Sequence, residues 1–174
     1  LIFVYFLLSA QYESYLLPLS VILSLPVGIA GAIGFVKLVG LENNIYFQIA
    51  LIMLIGLLAK NAILIVEFAI QRRRHGMSLF ESAVEGAKAR LRPILMTSFA
   101  FIFGLLPLAL ANGIGAVGNR SIGMGAVGGM LIGTILGVFF IPVLFVIFQG
   151  LQERMSGKTA AQKAAEEDSE NVAL

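Results

Sequence analysis

Four stretches of this sequence stay apolar for about 20 residues or more, enough to cross the roughly 30 Å of a bilayer's hydrocarbon core as helix. They are 16–36, 46–70, 93–111 and 121–148. A fifth stretch, 1–10, is apolar but half as long. No soluble fold hides that many apolar helices, so the expected fold class is an all-α polytopic membrane protein. Composition agrees: 13% of residues are charged, against about 25% in a soluble domain, and mean hydropathy is +0.94. Residue 1 is a leucine inside an apolar run. The expectation is therefore a C-terminal piece of a larger protein, with 1–10 the severed end of a helix.

Lysine and arginine in short loops set the orientation. Arg72, Arg73, Arg74, Lys88, Arg90 and Arg92 cluster between the spans 46–70 and 93–111, and Arg154, Lys158 and Lys163 follow the last span. The opposite connections hold only Lys37 and Arg120. The long loop and the tail 149–174 are therefore expected in the cytoplasm. In the loop, Ser78-Leu79-Phe80-Glu81 has the form of a capping box. Leu79, Phe80, Val84, Ala87 and Leu91 recur behind it at helical spacing. That pattern predicts a separate amphipathic surface helix over 78–90, with the chain re-entering the membrane at Pro93. The polar, alanine-rich tail reads as frayed helix or disorder.

Several chemistries are excluded at once. There is no cysteine and a single histidine, His75, so neither a thiolate nor a histidine-cluster metal centre can form. The spans hold no Ser/His, paired aspartate or HExxH arrangement, so no enzyme, cofactor or metal is expected.

What the spans do hold is a lysine. Lys60 in "LLAKNAILIVEFA" (57–69) sits near the midplane, too deep to reach either surface. An unpaired lysine there costs about 2.5–3.5 kcal/mol, and such residues mark functional sites by default. It must face the bundle interior and find an anionic or carbonyl partner. No acidic residue of the chain falls at its depth: Asp168 lies in the tail, Glu13 and Glu42 in loops, and Glu67 about 10 Å further along the helix, where an arginine of the basic loop is its expected partner. Lys60 is thus either neutral or paired with a carboxylate outside this sequence, and the second is favoured. Asn61 is either a supporting polar residue or interhelical glue. Thr97 either takes part in a site or bonds back to its own helix. Arg90, seven residues before Thr97 and on its face if the helix is continuous, is either a member of the site or a positive-inside anchor. Gly125, Gly129, Gly133 and Gly137, four apart, make one smooth helix face about 18 Å long. Such a face serves tight helix packing or sliding.

Three stretches together resemble one known family. They are "GLENNIYFQIALIMLIGLLAKNAILIVEFA" (40–69), "ARLRPILMTSFAFIFGLLPLALANGIG" (89–115) and "NRSIGMGAVGGMLIGTILGVFFIPVLFV" (119–146). In that order they are similar to the inner-membrane subunit of resistance-nodulation-division efflux pumps, hydrophobe/amphiphile multidrug branch. The resemblance implies the C-terminal part of a twelve-span bundle in the bacterial inner membrane, working as a homotrimer. Its implied partners are the lipid bilayer, a periplasmic adaptor protein, an outer-membrane channel and small hydrophobic substrates; no nucleic acid is expected. It also implies a proton relay made of Lys60, Thr97 and Arg90, with Asn61 in support, facing two aspartates on a span absent here. A metal-ion or protein-secretion transporter of the same superfamily stays open at this point. So does a non-transporting membrane assembly module.

Overall fold

The computed structural model describes residues 2–12, 14–157, 162 and 165. Leu1, Glu13 and the rest of the tail, including Lys158, Lys163 and Asp168, lie outside the described residues, so the expectations placed on them are not addressed. Five helices follow in order: α1 Ile2–Tyr12, α2 Leu17–Leu38, α3 Ile45–Arg74, α4 Leu79–Ala109 and α5 Ala116–Ser156. Four of them, α2 to α5, are long and apolar enough to cross a membrane. The protein is an all-α, multi-pass membrane bundle.

Neighbouring helices alternate in direction, as short connections require. At one end Asn44 ties α3 to α5: its side-chain oxygen accepts from the Phe47 N–H at 2.9 Å, and its Nδ2 donates to Ser121 Oγ at 2.8 Å. One residue thereby caps a helix and latches it to another. At the opposite end Arg73, in the last turn of α3, donates from Nε and Nη2 to the two carboxylate oxygens of Glu153, each at 2.9 Å, and from Nη1 to the Met77 carbonyl. Ser14 Oγ donates to Gln152 Oε1 at 2.7 Å, bringing the start of α2 to the same end. This end carries the arginine run and is called the basic end below.

α5 is the axis of the bundle and packs against α2, α3 and α4. Glycine makes that possible. A Cβ on Gly123 would stand 2.4 Å from the Ala109 nitrogen, and one on Gly133 3.2 Å from the Gly28 Cα. Backbones in lipid gain van der Waals contact by approaching this closely. The four-residue rail is covered over most of its length. Phe47 lies on Gly125, Leu54 and Ala32 on Gly129, and Leu58 and Gly28 on Gly133, while Gly137 meets only the tip of Ile141.

One expectation about the helices is corrected. The segment 78–90 is not a separate surface helix, because α4 runs unbroken from Leu79 to Ala109 with Pro93 inside it. Ser78 does cap it, accepting from the Glu81 N–H at 3.3 Å. Proline removes one backbone bond, but Ser82, Ala83 and Gly86 are buried before that loss and Ile94 and Ser98 after it, with Gly86 seated on the Ala69 backbone. Packing on both sides holds the helix through the gap. The buried stripe also differs from the apolar one: small residues make the contacts, while Phe80 is 71% exposed. α5 continues past Phe148 to Ser156 before Gly157 closes it with a φ of +65°, so the described start of the tail is helical.

Candidate functional site

Lys60 sits halfway along α3, about 22 Å from Ile45 and about 21 Å from Arg74. Arg90 and Thr97 come from α4 and share one face of it beside Lys60, because α3 and α4 run antiparallel and α4 does not break at Pro93. The continuous helix is what aligns them: seven residues are about two turns.

All four polar residues singled out in the sequence line one groove. Lys60, Asn61, Arg90 and Thr97 share a cavity of about 220 Å³, walled by Leu57, Leu64, Pro93 and Ile94 and floored by Met130 of α5. No carboxylate among the described residues lines it. The groove opens outward: Lys60 and Thr97 are exposed, and Lys60 makes no ion pair with any described residue. An ammonium at the midplane must be met by something, and these five helices do not supply it.

The remaining polar atoms of the groove are also unspent. The Arg90 Nε and the Asn61 Nδ2 are buried with no hydrogen-bond partner among the described residues, a costly state for a donor in a low dielectric. Asn61 also borders a separate void of about 20 Å³ shared with Ser24 and Thr134, so it stands between the groove and the bundle interior. Thr97 Oγ1 donates to the Ile94 carbonyl at 3.0 Å. Its lone pairs stay available to the groove.

Phe68 is the residue that sequence reasoning missed. The Arg90 guanidinium carbon lies 5.1 Å from the Phe68 ring centroid, and that of Arg72 5.0 Å from the same ring. The ring face attracts cations and holds Arg90 against α3. A phenylalanine two turns below Lys60 gives no sign of this in the sequence, since only the α3–α4 pairing brings Arg90 to it. Glu67 departs from expectation too. It forms no ion pair with the arginines that follow it: Arg73 is held by Glu153 and Arg72 sits on Phe68. Ser98, next to Thr97, points the other way and shares a hydrogen bond with Thr134 Oγ1 at 2.9 Å in the core.

The sequence profile of the AcrB/AcrD/AcrF family matches residues 1–149. The chain belongs to the AcrB/AcrD/AcrF family. The matched span contains the whole groove. Among curated relatives, the toluene efflux pump membrane transporter TtgB of Pseudomonas putida is 48% identical over 150 residues, 86% of this chain and 14% of that protein. The multidrug resistance protein MdtF of Escherichia coli (strain K12) is 47% identical over 155 residues, 88% of this chain and 15% of that one. TtgE of Pseudomonas putida, also a toluene efflux pump membrane transporter, is 48% identical over 165 residues, 94% of this chain and 16% of that protein. This AcrB/AcrD/AcrF family chain thus spans about a seventh of the length of the relatives it matches.

Proposed function

We propose that this chain is the C-terminal membrane part of a proton-driven efflux transporter for hydrophobic or amphiphilic compounds, and that it carries one half of the proton relay. The observation that supports this most directly is the groove itself. A midplane lysine, an arginine with an unpartnered Nε, a threonine hydroxyl and an asparagine amide converge there with no carboxylate among the described residues. A site so built is half of an electrostatic pair, and a helix bearing acidic residues completes it. The relatives' names, toluene and multidrug efflux, support the substrate class.

In this mechanism Lys60 is held by carboxylates of the facing helix while they are ionised. When they take up a proton, the lysine loses its partner and the helices repack. A proton crossing 100 mV supplies about 2.3 kcal/mol, and each pH unit about 1.4 kcal/mol more. That is enough to shift a two-state bundle by well over tenfold. Arg90, level with the basic end of the groove and held by Phe68, and Thr97, on the turn above Pro93, line the proton's path. Asn61 supports the lysine from the interior side. The excess of lysine and arginine at the basic end supports a cytoplasmic location for it and for the C-terminus, in a bacterial inner membrane. The family resemblance extends this to twelve spans, a homotrimer, and work with a periplasmic adaptor and an outer-membrane channel.

The experiment is Lys60→Ala in the protein as expressed in its own membrane. Drug efflux should be abolished with expression and assembly unchanged. Normal resistance from that variant would rule the relay out.

A further inference from the structure

The apolar stripe of α4 that finds no protein partner walls a second, larger hollow. Phe80, Val84 and Leu91 face Phe139 and Val143 of α5 across a cavity of about 480 Å³, in which Lys88 is the only charged side chain among the described residues. Along α4 it extends about 16 Å, from Phe80 near the basic end to Leu91. Beside it lies a hollow of about 230 Å³ that shares Phe80, Val84 and Lys88 and adds Glu81 and Glu85. None of these three charged residues forms an ion pair with a described residue.

Depth is fixed by the neighbouring helix. Gly86 rests on Ala69, less than a turn before the arginine run that ends α3. Residues 81–88 therefore stand at the level of that basic boundary, where headgroups lie, while the cavity continues from there toward the midplane. Volume, depth and charge thus form one arrangement: an apolar slot for a chain, with one cation and two anions at its mouth.

We infer that this two-part hollow binds one phospholipid of the leaflet at the basic end, with a headgroup carrying both a phosphate and a primary ammonium. An acyl chain fills the slot between α4 and α5. The phosphate meets Lys88, and the ammonium sits against Glu81 and Glu85. A headgroup with negative charge alone satisfies Lys88 but sets that charge beside two carboxylates, so the amine is what the site selects.

The test uses the protein as it is expressed in its own membrane, purified, delipidated and titrated with phosphatidylethanolamine or phosphatidylglycerol, with bound lipid counted by native mass spectrometry. Val143→Trp fills the slot from a position half-exposed on α5, and Lys88→Glu makes the mouth wholly acidic. Each should weaken phosphatidylethanolamine binding about tenfold, the order lost with one charge-assisted hydrogen bond or a blocked chain site. Phosphatidylglycerol should bind the unaltered protein less tightly than phosphatidylethanolamine. Lys88→Gln, which keeps most of the side-chain length, covers the case in which Lys88→Glu does not fold. A Val143→Cys variant should cross-link to a photoactivatable phosphatidylethanolamine. Unchanged lipid binding in the variants, equal or tighter binding of phosphatidylglycerol, or cross-linking of that cysteine to another protein helix would each overturn the assignment.

Discussion

Among the glycines, Gly123 makes the tightest approach to backbone atoms of another helix, and replacing it with alanine should loosen the α4–α5 packing. The added Cβ would lie 2.4 Å from the Ala109 nitrogen, 2.6 Å from the Ala109 Cα and 2.8 Å from the Leu108 carbonyl carbon. Carbon contacts settle at about 3.5–4.0 Å, so the helices must part by roughly 1 Å. All three atoms belong to the backbone, so no side chain can swing aside. Overpacking of this kind costs about 1–3 kcal/mol, and a clash with rigid atoms belongs in the upper half of that range. Against it stands the gain of about 0.4–1 kcal/mol from replacing glycine by alanine in the unfolded chain. Gly104→Ala isolates that gain, since a Cβ there meets nothing within 4 Å. Both variants lie in α-helix, so the backbone terms cancel in the comparison. Gly123→Ala should be less stable than Gly104→Ala by about 2 kcal/mol, measured as the shift in unfolding midpoint on titrating sodium dodecyl sulfate into a mild detergent. Equal shifts from the two variants would refute the claim that glycine sets the α4–α5 distance.

Asn44→Ala removes the cap of α3 and the bond to Ser121 together, so it should cost about 1–2 kcal/mol. Faster amide exchange in the first turn of α3 would register the loss, and exchange at the Arg73 end should not change. Ser98→Ala leaves Thr134 Oγ1 without its buried partner and should destabilise by about 1–3 kcal/mol. Adding Thr134→Val should recover most of that, and a double-mutant cycle that shows no coupling would mean that the 2.9 Å contact contributes nothing.

The comparison of sequence with structure divides along a physical line. Run length and hydropathy determined that the chain forms membrane-crossing helices, because lipid leaves a backbone no other way to satisfy its polar groups. The midplane position of Lys60, and the absence of an acidic residue at its depth, followed from counting residues at a fixed rise. Motif order was enough to indicate the family. The Ser78 cap was legible too, since capping is a matter of residues three apart.

What lies between helices was decided only in three dimensions. Pro93 suggested a break, yet α4 passes through it, because the cost of one missing backbone bond was weighed against packing that the sequence does not display. The apolar stripe from Phe80 to Leu91 marked an amphipathic helix but not its contact with the bundle, which is made by Ser82, Ala83 and Gly86, whose small size lets α4 approach its neighbours. Arg90 reaches Phe68, and Lys60 shares a groove with Thr97, because the α3–α4 pairing sets their register. One helix's periodicity tells which residues share its face. Which face meets which neighbour, and at what height, is a property of pairs, and only the folded bundle contains the pairs.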